Sequence, residues 1–91
     1  SIPHMGWNSL SFPEKKSPLF ADVKEGEYVY FVHSYAGVGC ADQCIATTEY
    51  GAPLTAAVQN GNVYGTQFHP EKSGETGLKI LKTFCKLEGM R

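Results

Sequence analysis

No stretch of this chain approaches the roughly 18 consecutive apolar residues that a membrane-spanning helix needs, and its opening residues carry no signal-peptide pattern. Basic charge is scarce as well. Eight Lys and Arg stand against nine Asp and Glu, for a net charge of −1. Without a positive field, neither nucleic acid nor an anionic membrane surface is expected as a partner. Lys72, Lys79, Lys82 and Lys86 do gather late in the chain, at spacings that read as one solvated helix face. The three cysteines are an odd number without the framework of a secreted disulfide scaffold, which points to a reducing cytoplasm. Length is limiting too: 91 residues make at most one small domain, and such a chain buries only about 60 to 65% of the surface its unfolded form exposes. An initiator methionine is also missing. Ser1-Ile2-Pro3-His4-Met5-Gly6-Trp7 opens like the middle of a domain, so a fragment or processed piece is expected.

What is present is globular in composition, with 42% hydrophobic and 12% aromatic residues. Trp7 to Phe12 alternates weakly, as a short strand would, and Pro13 to Ala21 reads as a loop. Ala21 to Glu27 forms a turn closed by Gly26. Tyr28 to Tyr35 is the strongest strand pattern, nearly all β-branched or aromatic. Its continuous apolarity predicts burial on both faces, as in a central strand of an α/β sheet. Cys44 to Tyr50 and Leu54 to Gln59 are further strands. Asn60-Gly61 predicts a two-residue hairpin turn with positive φ at both positions, and Asn62 to Phe68 the return strand. A helix is predicted from Gly74 to Glu88, with Ser73 as its N-cap, Glu75 in the first turn and Gly89 past the end. Its apolar stripe is Leu78, Leu81, Phe84 and Cys85, widened by Ile80 and Leu87.

The return strand delivers Gln67-Phe68-His69-Pro70-Glu71-Lys72-Ser73 to a strand end, where functional side chains of open α/β sheets gather. His69 and Glu71 flank a proline that stiffens the link between them. A carboxylate accepting from one imidazole nitrogen fixes the tautomer and leaves the other nitrogen to take a proton from a nucleophile. The same spacing equally describes a strand-end histidine beside a surface glutamate. Spacing alone leaves both readings open.

Several blocks decide what the spacing does not. Phe68-His69-Pro70-Glu71, after a hairpin strand and before a helix, resembles the signature that closes the catalytic domain of class I (triad-type) glutamine amidotransferases. Pro3-His4-Met5-Gly6-Trp7-Asn8, Tyr30-Phe31-Val32-His33-Ser34-Tyr35, Thr47-Thr48-Glu49-Tyr50, Gln67 through Ser73 and Gly77 through Phe84 follow in that family's order at similar spacing. The first block and Lys72-Ser73 resemble the branch that serves as glutaminase of imidazole glycerol phosphate synthase in histidine biosynthesis. The resemblance implies an α/β fold class: the C-terminal half of a class I glutamine amidotransferase fold, with mixed sheet strands, a β-hairpin and a C-terminal helix. Residues 1–91 would be the C-terminal part of one such domain. It also implies His69 as general base and acid, Glu71 as its orienting partner, and His33, Ser34 and Tyr35 as the segment that holds glutamine. Trp7, Asn8, Tyr30 and Lys72 match positions that face a barrel-shaped cyclase subunit around the ammonia passage, though Trp7 and Tyr30 also suit ordinary core or rim aromatics and Lys72 a solvated lysine. No cofactor is implied.

The departure is the nucleophile. The family carries it on a Gly-x-Cys-x-Gly elbow, whereas Cys40 is flanked by Val38 and Asp42, Cys44 opens a strand, and Cys85 falls on the apolar stripe, where a buried thiol is inert. Gly37-Val38-Gly39 lies too far downstream to be the family's oxyanion loop. The elbow and that loop belong to the family's N-terminal half, so the 91 residues alone are expected to be inactive. His4, His33, His69, Cys40 and Cys44 give only a weak zinc pattern, and no metal site is expected. The alternative is a non-catalytic fragment or interaction module derived from that fold, self-associating through an exposed sheet edge. A γ-glutamyl hydrolase is disfavoured by the Pro-His-Met-Gly-Trp-Asn block.

Overall fold

Tyr28 to Val32 does not bury both of its faces. In the computed structural model, which describes residues 6–32 and 43–89, Tyr28 is exposed, Val29 buried, Tyr30 half-buried and Phe31 buried. The regular strand is only Tyr28–Tyr30 (β2), paired antiparallel with Trp7–Ser9 (β1) through Trp7↔Tyr30 and Ser9↔Tyr28. The expected central strand is therefore a short one with alternating burial. Among the described residues its second edge meets a turn and no further strand: the Tyr30 carbonyl accepts from the His69 amide at 2.9 Å. The expected continuation through His33, Ser34 and Tyr35 lies outside the described residues.

A three-stranded antiparallel sheet follows: Cys44–Glu49 (β3), Pro53–Asn60 (β4) and Val63–Thr66 (β5), in the order β3-β4-β5. The β4–β5 hairpin forms as expected, one residue displaced. Asn60 pairs with Val63, so the turn is Gly61-Asn62, and only Gly61 (φ 63°) has positive φ. That is the II′ signature, which needs glycine at the first central position and leaves Asn62 in ordinary backbone. Ser11 and Thr47 exchange two 2.8 Å backbone bonds and join this sheet to the β1 segment.

The loop between β1 and β2 supplies core. A 3₁₀ turn at Pro18–Phe20 is capped by the Ser17 hydroxyl, which accepts from the Leu19 amide, and it buries Leu19 and Phe20. Around them lie Leu10, Val23, Val29, Ala56 and Phe68, with Phe31 and Phe68 edge to face at 5.8 Å. Branched and aromatic side chains from five segments thus close one apolar centre under both sheets.

The helix forms at Gly74–Gly89 (α1), but of its expected apolar stripe only Ile80 is buried and Leu87 half-buried. Gly77, Ile80 and Thr83 are buried, while Leu78, Leu81 and Phe84 are 50%, 40% and 37% exposed and Cys85 is exposed. Close approach explains the rotation. A Cβ on Gly77 would stand 1.9 Å from the Pro70 carbonyl oxygen, so the helix seats its side-chain-free position on that carbonyl. Cys85 is accordingly not a buried thiol. Ser73 does stand at the expected N-cap position, its carbonyl accepting from the Gly77 amide at 3.1 Å, but its hydroxyl caps no helix amide because it is committed to Tyr30 and His69. Gly74 follows it with φ 61°, a left-handed residue at the head of the helix.

The lysines are not one solvated face either. Lys79 reaches Glu27 at 2.9 and 3.0 Å, and Thr76 donates to the same carboxylate at 2.7 Å. Partial burial raises the Glu27 pKa, but the Lys24 amide, Lys79 and Thr76 outweigh it and hold the group at about 2, against 4.5 unperturbed. This clamp ties the entry to β2 to the first turns of α1.

Two outcomes test this packing. Gly77→Ala should lower thermal stability by about 1 to 3 kcal/mol through overpacking against Pro70, read by far-UV circular dichroism melting; an unchanged melt would refute the seat. Because Glu27 is more acidic folded than unfolded, its contribution is complete above about pH 4.5 and is lost as pH falls toward about 2. Glu27→Gln should therefore be less stable near neutrality and should lose less stability than the parent between those values.

Candidate functional site

His69 stands at the junction of hairpin and helix, with φ −102° and ψ 99°, as the last extended residue before a 3₁₀ turn at Pro70–Lys72. Pro70 takes the first position of that turn, where a missing N–H costs nothing. The Lys72 amide returns to the His69 carbonyl and the Ser73 amide to the Pro70 carbonyl, both at 3.0 Å. The turn brings the Glu71 carboxylate to 3.1 Å from His69 Nδ1, so the two side chains meet across the proline as the sequence spacing predicts. With Nδ1 facing a carboxylate, Nε2 is the ring atom positioned to exchange a proton with a bound group. Both side chains remain accessible, 42% for His69 and 60% for Glu71.

The Glu71 pKa lies below its ordinary value. Its own backbone amide is the largest cause, its slight desolvation opposes, and His69 and Lys72 add to the lowering. The carboxylate is thus ionised under the histidine throughout the neutral range.

Tyr30 links this pair to the first hairpin. Its carbonyl binds the His69 amide, and its ring packs edge to face on Trp7 at 5.7 Å. Trp7 is 53% exposed, and Lys72 is exposed beside Glu71. Trp7, Tyr30, His69, Glu71 and Lys72 are therefore held by one connected set of elements. Asn8 is separated from them. Adjacent strand residues point to opposite faces, and the Asn8 side-chain Nδ2 donates instead to the Glu49 carbonyl at 3.4 Å. His33, Ser34 and Tyr35 lie outside the described residues, as do Cys40, His4 and Gly37-Val38-Gly39. Cys44 is half-buried in β3, with its thiol on the Ala46 carbonyl at 3.3 Å. Among the described residues, no three His, Cys, Asp or Glu side chains gather as metal ligands would, and no helix is long and apolar enough to cross a membrane.

Ser73 is the residue whose side-chain role sequence reasoning missed. It is 2% exposed, donates to the His69 carbonyl at 2.6 Å and accepts from the Tyr30 amide at 2.9 Å. Its place at the end of the His-Pro-Glu-Lys-Ser block was the available signal, overridden by the preference of serine for helix N-termini.

A carboxylate-backed imidazole at the end of a hairpin, on a turn leading into a helix, is the arrangement that the sequence blocks resemble. The family model described as glutamine amidotransferase class-I matches residues 1–87, and the chain belongs to that family. Within it, the chain is 54% identical over 86 residues to the imidazole glycerol phosphate synthase subunit HisH of Vibrio parahaemolyticus, covering 94% of this chain and 41% of that protein. It is 50% identical over 86 residues to HisH of Escherichia coli K12, covering 94% of this chain and 43% of that protein. The Methanosarcina acetivorans HisH is 52% identical over 88 residues, again with 94% and 43% covered. The chain thus spans about two fifths of the length of the relatives it matches.

The His69–Glu71 pair is open to direct measurement. A carbon-13 titration of the Glu71 carboxyl should give a midpoint below 4.5, returning only part of the way in His69→Ala because the backbone amide remains. A midpoint that is the same in the parent and in His69→Ala would mean that the pair does not form.

Proposed function

We propose that this chain is the C-terminal part of the glutaminase of imidazole glycerol phosphate synthase, which releases ammonia from glutamine for a cyclase subunit in histidine biosynthesis. The observation that carries this reading is the 3.1 Å contact between His69 Nδ1 and Glu71, set on a turn that the Tyr30 backbone anchors. The roughly 50% identity to proteins named as imidazole glycerol phosphate synthase subunit HisH supports it.

The chemistry is nucleophilic. A cysteine thiolate, carried in the part of the domain that these 91 residues do not include, attacks the glutamine carboxamide, and backbone amides hold the oxyanion. His69 takes the thiol's proton on Nε2 and delivers it to the amide nitrogen, which leaves as ammonia; it then takes a proton from water so that hydroxide attacks the thioester, and glutamate leaves as the thiolate re-forms. Glu71 holds the ring and stabilises the imidazolium that forms in between. His33, Ser34 and Tyr35 hold the glutamine. The exposed Trp7, edge to face on Tyr30, faces the cyclase together with Tyr30 and Lys72 at the mouth of the ammonia passage, and Asn8 reaches the same partner from the opposite face of β1. A dry route matters because ammonia that meets water is protonated and is no longer a nucleophile. A cytoplasmic setting goes with this reading.

A non-catalytic interaction module is the second reading, favoured by one observation: Leu78, Leu81 and Phe84 are exposed on α1, and Leu81 and Phe84 border an open depression lined also by Tyr64 and Leu19. In the complete subunit assembled with its cyclase, His69→Ala should lower ammonia release by about 10²- to 10⁴-fold, and Glu71→Gln by less. The 91 residues alone should release none. Equal and trivial losses in the two variants would overturn the glutaminase reading and leave the interaction module.

A further inference from the structure

We infer that Ser73 is a positioning residue for His69: its buried hydroxyl locks the main chain of the base to strand β2. The kinetic consequence rests on the glutaminase reading above, whereas the locking itself does not.

A serine hydroxyl offers one donor and two acceptor sites. Here the donor goes to the His69 carbonyl at 2.6 Å, and one acceptor site takes the Tyr30 amide at 2.9 Å. Tyr30 turns both of its main-chain polar groups away from β1 and toward the turn, since its carbonyl receives the His69 amide at 2.9 Å. A neighbouring strand would ordinarily meet two such groups with two backbone groups of its own. Here His69 supplies the first partner and the Ser73 side chain the second. The hydroxyl stands in for a strand at the point where the chain turns away to become a helix.

The consequence falls on His69. Its amide is held by Tyr30 and its carbonyl by Ser73 and by the Lys72 amide, so both main-chain polar groups are fixed. Only the side-chain torsions then remain to place the ring, and Glu71 on Nδ1 restrains them. Ser73 sits at 2% exposure, so water cannot readily replace its hydroxyl. Removing that oxygen strands the Tyr30 amide and frees one side of the His69 carbonyl, letting the turn shift against β2. Reacting groups misplaced by about 1 Å cost about 10²-fold in rate. The loss belongs in the chemical step and not in glutamine binding, because Ser73 touches the turn that carries the base.

The test compares Ser73→Ala with Val23→Ala in the complete subunit assembled with its cyclase. Val23→Ala is a control that loosens the same core outside the turn. Ser73→Ala should lower kcat about 10- to 100-fold with KM for glutamine within about threefold of the parent. Val23→Ala should lower the melting temperature and leave kcat near the parent value. Amide hydrogen exchange gives a readout that needs no activity: the Tyr30 amide should exchange at least about tenfold faster in Ser73→Ala than in Val23→Ala. Parental kcat in Ser73→Ala, or a kcat loss that Val23→Ala reproduces, would overturn the positioning role. Unchanged protection at Tyr30 would overturn the lock itself. A parent subunit that releases no ammonia would refute the glutaminase reading, and the exchange measurement would still decide whether Ser73 holds the turn.

Discussion

Both main-chain polar groups of Tyr30 need partners, and the rest of this structure is arranged around how they are found. A backbone amide and carbonyl left without partners in a packed region cost as much as lost hydrogen bonds. Here they are met by the His69 amide and the Ser73 hydroxyl. That requirement draws the end of the β4–β5 hairpin against β2, sets the 3₁₀ turn at Pro70–Lys72 and fixes where α1 begins. The imidazole and carboxylate meet because the turn is held, and the turn is held because β2 has an open edge. Fold and candidate site are thus one problem in backbone satisfaction.

Much of this was legible in the sequence for identifiable reasons. Strands β3, β4 and β5 follow from β-branched runs bounded by turn residues, and the hairpin from adjacent Asn and Gly, although the turn uses Gly61-Asn62. The existence and extent of α1 were readable, whereas its inward face was not. Periodicity weights large apolar residues, so it centred the stripe on Leu78, Leu81, Phe84 and Cys85 and put Ile80 and Leu87 at its margin. Docking chose Gly77, Ile80 and Thr83, because the helix had to come within a carbonyl's reach of Pro70. A pattern of hydrophobicity does not register where a missing side chain is the requirement. The strand at Tyr28 misled for a related reason, since apolarity on successive residues does not reveal whether a second sheet neighbour exists.

The candidate pair was readable as a spacing and became specific only through the blocks around it. His69 and Glu71 meet as expected, and Trp7 and Tyr30 join them through one strand pair. Asn8 falls on the other face of β1, which the parity of a strand dictates once Trp7 is placed. Ser73 was invisible as a tether because its partners, Tyr30 and His69, are backbone groups, and 43 residues separate it from one of them. Side-chain identity announces what a residue can bond, not which distant peptide will be brought to it.

Gly74 sets the direction of a long element. Its left-handed backbone, φ 61°, joins the turn to a helix of 16 residues. At 1.5 Å per residue that helix is about 24 Å long. The Glu27 clamp grips it at Thr76 and Lys79, and Gly77 seats on the Pro70 carbonyl. Further along, Ile80 and Thr83 are buried and Phe84 meets Tyr64 of β5 edge to face at 6.1 Å. α1 is therefore a spine fastened at several points, through which the turn that carries His69 is tied both to the entry of β2 and to the β3-β4-β5 sheet.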